Sequence, residues 1–276
     1  MRISLCNEVL AEFDFARQCD LARHLGYDGL EIAPFTLSPE PHLLPAARRS
    51  EIRKIAADQG IAITGLHYLL RAPEGLSITS SDDAQRARSV DVIRRLIELA
   101  HDLGTGIIVH GSPAQRRLET GHEDEGRKHG VACWQAIAKD AEQAGVTYCI
   151  EALHQPEANF VNTVEEAAAI VNQIGSPAVR TMIDCSAAAL TEKQSVPDLI
   201  RQWVPTGLIA HIHFNDPNRR GPGEGELAFA PIARALHESG YRGDASIEPF
   251  IYIPDGATCA ARAIGYMRGV LEAKTL

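Results

Sequence analysis

The 276-residue chain has no C-x-x-C pair among its six cysteines, so no disulfide framework is written into it. Cys6, Cys19, Cys133, Cys149, Cys185 and Cys259 are scattered, several within apolar runs, and read as buried reduced thiols. No apolar stretch approaches the length needed to span a bilayer. Positive charge is in deficit: 27 Lys and Arg face 36 Asp and Glu, a formal charge of −9. That balance argues against a nucleic-acid partner, because a face built for phosphate backbones is basic. A small neutral substrate is easier to accommodate. The opening MRISLCNEVLAEFD has one early Arg followed by Glu8, Glu12 and Asp14, unlike a secretory signal or an Arg-rich transit peptide, and a cytoplasmic location is expected. Also missing is a G-x-G-x-x-G after the first strand-like run, which continues into CNEVLAEF, so an open doubly wound sheet with a dinucleotide site is disfavoured.

What the chain does contain is a repeat of elements. Short β-branched or apolar runs at 2–6, 28–33, 62–67, 106–110, 147–151, 179–184, 208–213 and 245–248 alternate with stretches of helical spacing. Those stretches fall at 13–25, 45–59, 84–103, 125–144, 163–174, 196–203, 230–239 and 258–272. Eight such units predict an α/β fold, a parallel sheet closed as a (β/α)8 TIM barrel, with residues 1–276 forming a single catalytic domain. Gly26, Gly60, Gly104, Gly145, Gly175 and Gly240 each fall just after a helical run and before a strand, where a helix end favours left-handed backbone. Two long connections, 35–45 and 214–226, follow strands and belong on the face where barrels carry their sites.

Four side chains stand at the ends of the last four strand-like runs: Glu151 in YCIEALH, Asp184 in RTMIDCS, His213 in AHIHFND and Glu248 in ASIEPF. Any one of them could be a solvated loop residue, since charged groups commonly end strands. On neighbouring parallel strands, however, they converge. Three carboxylates and one imidazole suit a divalent ion such as Mn²⁺, Mg²⁺ or Co²⁺ better than a thiolate-loving one.

These segments, IEALHQPEANFVNT (150–163), MIDCS (182–186), HIHFNDPNRRGPGEGE (211–226) and SIEPF (246–250), resemble the xylose isomerase-like TIM-barrel superfamily of sugar isomerases and epimerases. Within it the chain is most similar to the ketose 3-epimerases. The resemblance implies that Glu151, Asp184, His213 and Glu248 bind one divalent ion, Mn²⁺ foremost, with Mg²⁺, Co²⁺ or Zn²⁺ as alternatives. It implies a cation on the carbonyl oxygen and an adjacent hydroxyl of a ketose, and an enediolate formed and reprotonated by Glu151 and Glu248 as the catalytic pair. A C–H beside a carbonyl is a poor acid until a cation stabilises the oxygen that becomes negative, which gives that scheme its physical sense. Substrate-binding roles are implied for Glu157 and Arg219, six residues after Glu151 and His213 respectively. The resemblance also allows for a homo-oligomer, although no interface is legible.

One position departs from the family: Ala187 stands where ketose 3-epimerases carry a histidine, which puts the identity of the sugar in doubt. His67 and His110 end strands three and four and are expected to point into the mouth and touch substrate. Glu31, Asn7 and Glu8 are further candidates there. His211, two residues before His213, shares its sense one layer deeper and is expected to pack or to orient groups around the metal. The GPGEGE segment reads as a turn and not as a phosphate loop. An aldose–ketose isomerase, or a dehydratase of keto-sugars or keto-inositols, would use the same enediolate. An endonuclease IV-like nuclease would need about three ions, and a non-catalytic sugar-binding barrel would need none.

Overall fold

The structure is a computed structural model that describes residues 1–273. Eight parallel strands close into a ring in chain order, and the last pairs back onto the first. They are β1 (Ile3–Cys6), β2 (Gly29–Ile32), β3 (Ala62–Leu66), β4 (Ile107–His110), β5 (Thr147–Ile150), β6 (Val179–Asp184), β7 (Ile209–Phe214) and β8 (Ala245–Ile247). Around them lie α1 (Phe15–Leu25), α2 (Ala46–Asp58), α3 (Asp83–Leu103), α4 (Glu123–Ala144), α5 (Val164–Ile174), α6 (Cys185–Thr191), α7 (Val196–Trp203), α8 (Phe229–Glu238) and α9 (Gly256–Ala273). The fold is the (β/α)8 TIM barrel that the alternating pattern predicts.

Local chemistry sets the helix limits. Asp14, Asp82, Thr163 and Ser195 each accept a hydrogen bond from a first-turn amide, and Gly26, Gly104, Gly145 and Gly175 end their helices in left-handed backbone. Helix α3 shows how the outer ring is anchored: Val92, Ile93, Leu96, Ile97, Ala100 and Leu103 recur at helical spacing and are all buried. Between β6 and α7 the chain forms a helix absent from the expected series, α6. Asp184 starts it by accepting from the Ala187 amide at 2.6 Å. No helix among the described residues is long and apolar enough to cross a membrane.

Side-chain alternation along each strand decides what enters the barrel. Val109, Cys149 and Met182 form one interior layer, packed by Ile107 and Ala210. Two residues onward from Cys149 and Met182, the same face presents Glu151 and Asp184. His211 and His213 share the inward face of β7, and Ser246 leads to Glu248 beyond β8.

Candidate active site

Glu151 and Glu248 directly follow β5 and β8, Asp184 ends β6, and His213 lies in register with both Asp184 and Ser246. All four are buried, and one ligand atom from each lies within 4.8 Å of the others. Backbone bonds hold the two loop glutamates in place: the Glu151 amide donates to His110 O at 3.4 Å and the Glu248 amide to Phe214 O at 3.1 Å. Room for Glu151 comes from Gly111, where a Cβ would collide with its carboxylate.

His213 shows what the group is suited to hold. Its Nδ1 lies 3.0 Å from Glu248 Oε2, 3.4 Å from Glu151 Oε1 and 4.0 Å from Asp184 Oδ2, yet its angles make a hydrogen bond to none of them. A buried ring nitrogen aimed at three carboxylates fits a divalent cation, which would take all four as ligands. The charges agree. Burial, with Glu151 and Glu248 alongside, pushes the Asp184 carboxyl well up. Burial likewise pushes Glu248 up to about 7, against the pull of His213. Burial alone would depress His213, but Glu248 and Glu31 hold it well above its usual value. Negative charge is crowded here, and a cation would relieve it.

Asn215 clamps two of the acids: its Nδ2 donates to Asp184 Oδ2 at 2.6 Å and Glu248 Oε2 at 3.4 Å, while its Oδ1 accepts from the Ser186 amide at 2.9 Å. Being uncharged, Asn215 carries no signal of this role in the sequence beyond its place in the HFND motif. Beneath the cluster, Cys6, Glu8 and His67 approach Glu248, and Cys6 also nears Glu31 and His213. Burial, with Glu31 nearby, pushes the Cys6 thiol well up, which disfavours it as a ligand.

A cavity opens above the four groups and is lined by Glu151, Asp184 and Glu248 together with Glu157 and Arg219. Glu157 Oε2 lies 3.3 Å from His154 Nδ1, which also lines the cavity. The Arg219 guanidinium stacks over Phe250 at 5.1 Å. Its backbone takes a left-handed φ of 68°, held by Arg219 N donating to Asp216 O at 2.7 Å and by the amides of Phe250 and Ile251 donating to its carbonyl. Tyr68, Leu153 and Phe250 add apolar wall from three separate loops, with no local signal in the sequence.

Two histidines lie elsewhere than expected. His110 does not point into the mouth. It faces the helix layer, where its Nδ1 accepts from Tyr148 OH at 2.6 Å and Trp134 Nε1 at 3.0 Å. The reason is parity: Ile107 and Val109 take the inward face of β4, so His110 must take the outward one. Burial, with Arg116 nearby, pushes it down to about 3, so it is neutral. His67 does lie on the inner side but is wholly covered and does not line the cavity. It bonds Glu8 Oε1 at 2.9 Å and stands 3.9 Å from Glu248 Oε1.

The sequence matches the profile of the xylose isomerase-like TIM barrel over residues 19–269. The chain belongs to that family. Family relatives include a D-psicose 3-epimerase of Ruminiclostridium cellulolyticum, 28% identical over 87% of this chain and 80% of its own length. An L-ribulose 3-epimerase of Mesorhizobium japonicum is 29% identical over 87% and 77%. The fold superposes on a crystal structure of D-psicose 3-epimerase determined in the presence of D-fructose, with a TM-score of 0.83, 25% identity and coverage of 98% and 99%. Against this family background Ala187 lines the cavity beside Ser186, and its methyl group offers no hydrogen bond to a sugar.

Proposed function

We propose that this enzyme is a divalent-metal-dependent epimerase that inverts C3 of a ketose or related keto-sugar through an enediolate. The observation that carries the reading is the convergence of Glu151, Asp184, His213 and Glu248 at the floor of a cavity that also presents Glu157 and Arg219. The four groups would hold the ion, with Mn²⁺ favoured by their hard oxygen-rich set and Mg²⁺, Co²⁺ or Zn²⁺ as alternatives. When bound, the cation supplies the positive charge that stabilises an oxyanion developing next to the C–H bond being broken.

The remaining work falls to side chains. Glu151 and Glu248 act as the proton-handling pair: one carboxylate takes the proton from C3, and the other returns a proton to the opposite face. Glu157 and Arg219 orient the sugar hydroxyls, and the walls of Tyr68, Leu153 and Phe250 limit water. The names of the relatives support 3-epimerisation, and six free, buried cysteines support a cytoplasmic setting.

The test is to screen ketoses with Mn²⁺, Co²⁺ and Mg²⁺ in deuterated water and follow products by NMR. A C3 epimer carrying solvent deuterium is expected. A moved carbonyl would mean aldose–ketose isomerisation, an unsaturated product dehydration, and binding without hydrogen exchange a non-catalytic barrel. Metal analysis should give about one ion per chain, whereas about three would mean a nuclease-type centre. Glu151→Gln and Glu248→Gln should each lower turnover by about 10²–10⁴-fold, and wild-type rates in both would remove the proposed pair.

A further inference from the structure

Glu31 contributes no group to the cavity, yet the barrel is shaped around it. It lies on β2 with no solvent exposure, a costly place for a carboxylate that is only a structural filler. The strand register shifts between Leu30 and Glu31, and Glu31 pairs with Gly65, where a Cβ would stand 3.1 Å from its Cγ. The shift and the missing side chain let the carboxylate reach across the interior to β7.

There it meets two imidazoles. Glu31 Oε2 lies 2.8 Å from His211 Nε2, and Oε1 lies 3.4 Å from His213 Nε2. The two rings pack edge to face with centroids 5.1 Å apart. A carboxylate accepts hydrogen bonds and donates none, so each Nε2 must carry a proton. For His213 this leaves Nδ1, the nitrogen facing Glu151, Asp184 and Glu248, as the one free to give a lone pair to a metal. His211 occupies the other oxygen and so stops the carboxylate from rotating away.

We infer that Glu31 is a positioning residue of the metal centre: it fixes the tautomer and orientation of His213, with His211 as its anchor. This role rests on the metal reading above, and the experiment separates the two. Mn²⁺ binding to the full-length metal-free protein is followed by the loss of the free-ion EPR signal, for the wild type and for Glu31→Gln. The variant should bind Mn²⁺ about 10–100-fold more weakly, as outer partners of metal-bound histidines generally do on substitution. In parallel, the wild type labelled with ¹⁵N-histidine and loaded with diamagnetic Mg²⁺ or Zn²⁺ is examined by NMR. The ring whose shifts respond to the ion should be the Nε2–H tautomer.

Equal Mn²⁺ affinity in Glu31→Gln, or an Nδ1–H tautomer in the responding ring, would overturn the role of Glu31 alone. Should Glu31→Gln not fold, the wild-type tautomer decides. If the wild type takes up no divalent ion, the metal centre itself falls, and this role with it.

Discussion

Gly111 makes room for the carboxylate proposed as one of the proton-handling pair by having no side chain. Glu151 occupies the volume a methyl group would need, so Gly111→Ala should displace the carboxylate and lower kcat/KM by about 10²-fold, with the circular dichroism spectrum unchanged. Arg219 acts differently, as a cavity wall group stacked on Phe250. Arg219→Ala should raise KM by about tenfold or more while kcat changes little, the pattern of lost uniform binding in steady-state kinetics. At this scale the four proposed ligands are legible in the sequence because each is a charged or imidazole group closing an apolar run. Asn215 is not, being neutral, although it bridges two of the acids. Tyr68, His154 and Phe250 meet only through the fold, and no spacing along the chain announces them.

The strands and helices themselves were legible, and the facing of one strand was not. In a parallel barrel both faces of a strand are buried, so IIVH carries no apolar–polar alternation to mark its inward side. The strand-end position therefore points His110 to the mouth, whereas the fold places it in a buried group with Tyr148 and Trp134. Its removal should be a stability lesion. His110→Leu leaves the Tyr148 hydroxyl and Trp134 indole N–H without their acceptor, at a cost of about 1–3 kcal/mol per group, and should lower the urea midpoint while Mn²⁺ affinity stays at the wild-type value. Helix α6 is illegible in the sequence for a related reason: its start depends on Asp184, which reads as a site residue and also serves as a cap. Loop 214–226 is fixed in the same economical way, with Asp216 accepting from the amides of Asn218 and Leu227.

For the molecule as a whole, the alternating pattern gave the barrel because eight units are the number that closes, and the ring has no free edge once β8 meets β1. Its pH response follows from groups hidden in that ring. Burial alone would lower His67, but Glu8, with Glu31 and Glu248 farther off, carries it to about 9. A histidine raised in the folded state stabilises by its charged form. That contribution is fully present below about 6.5, the ordinary value, and is lost as pH rises through about 9. The thermal midpoint of the metal-free protein should fall across that window, and His67→Asn should flatten the decline. A midpoint that rises over the same range would contradict the assignment.

The ring also divides its labour along the chain. Every proposed ligand comes from β5 to β8, while Glu8, Glu31 and His67, which lie beside them, come from the first three strands and the loops that leave them. During synthesis these neighbours therefore emerge from the ribosome well before the proposed ligands. Glu248 follows β8, the last strand of the ring, so a nascent barrel has no complete set of proposed ligands until β8 has been made. A product cut short before β8 would lack one of the four proposed ligands and is expected to bind no ion at this site.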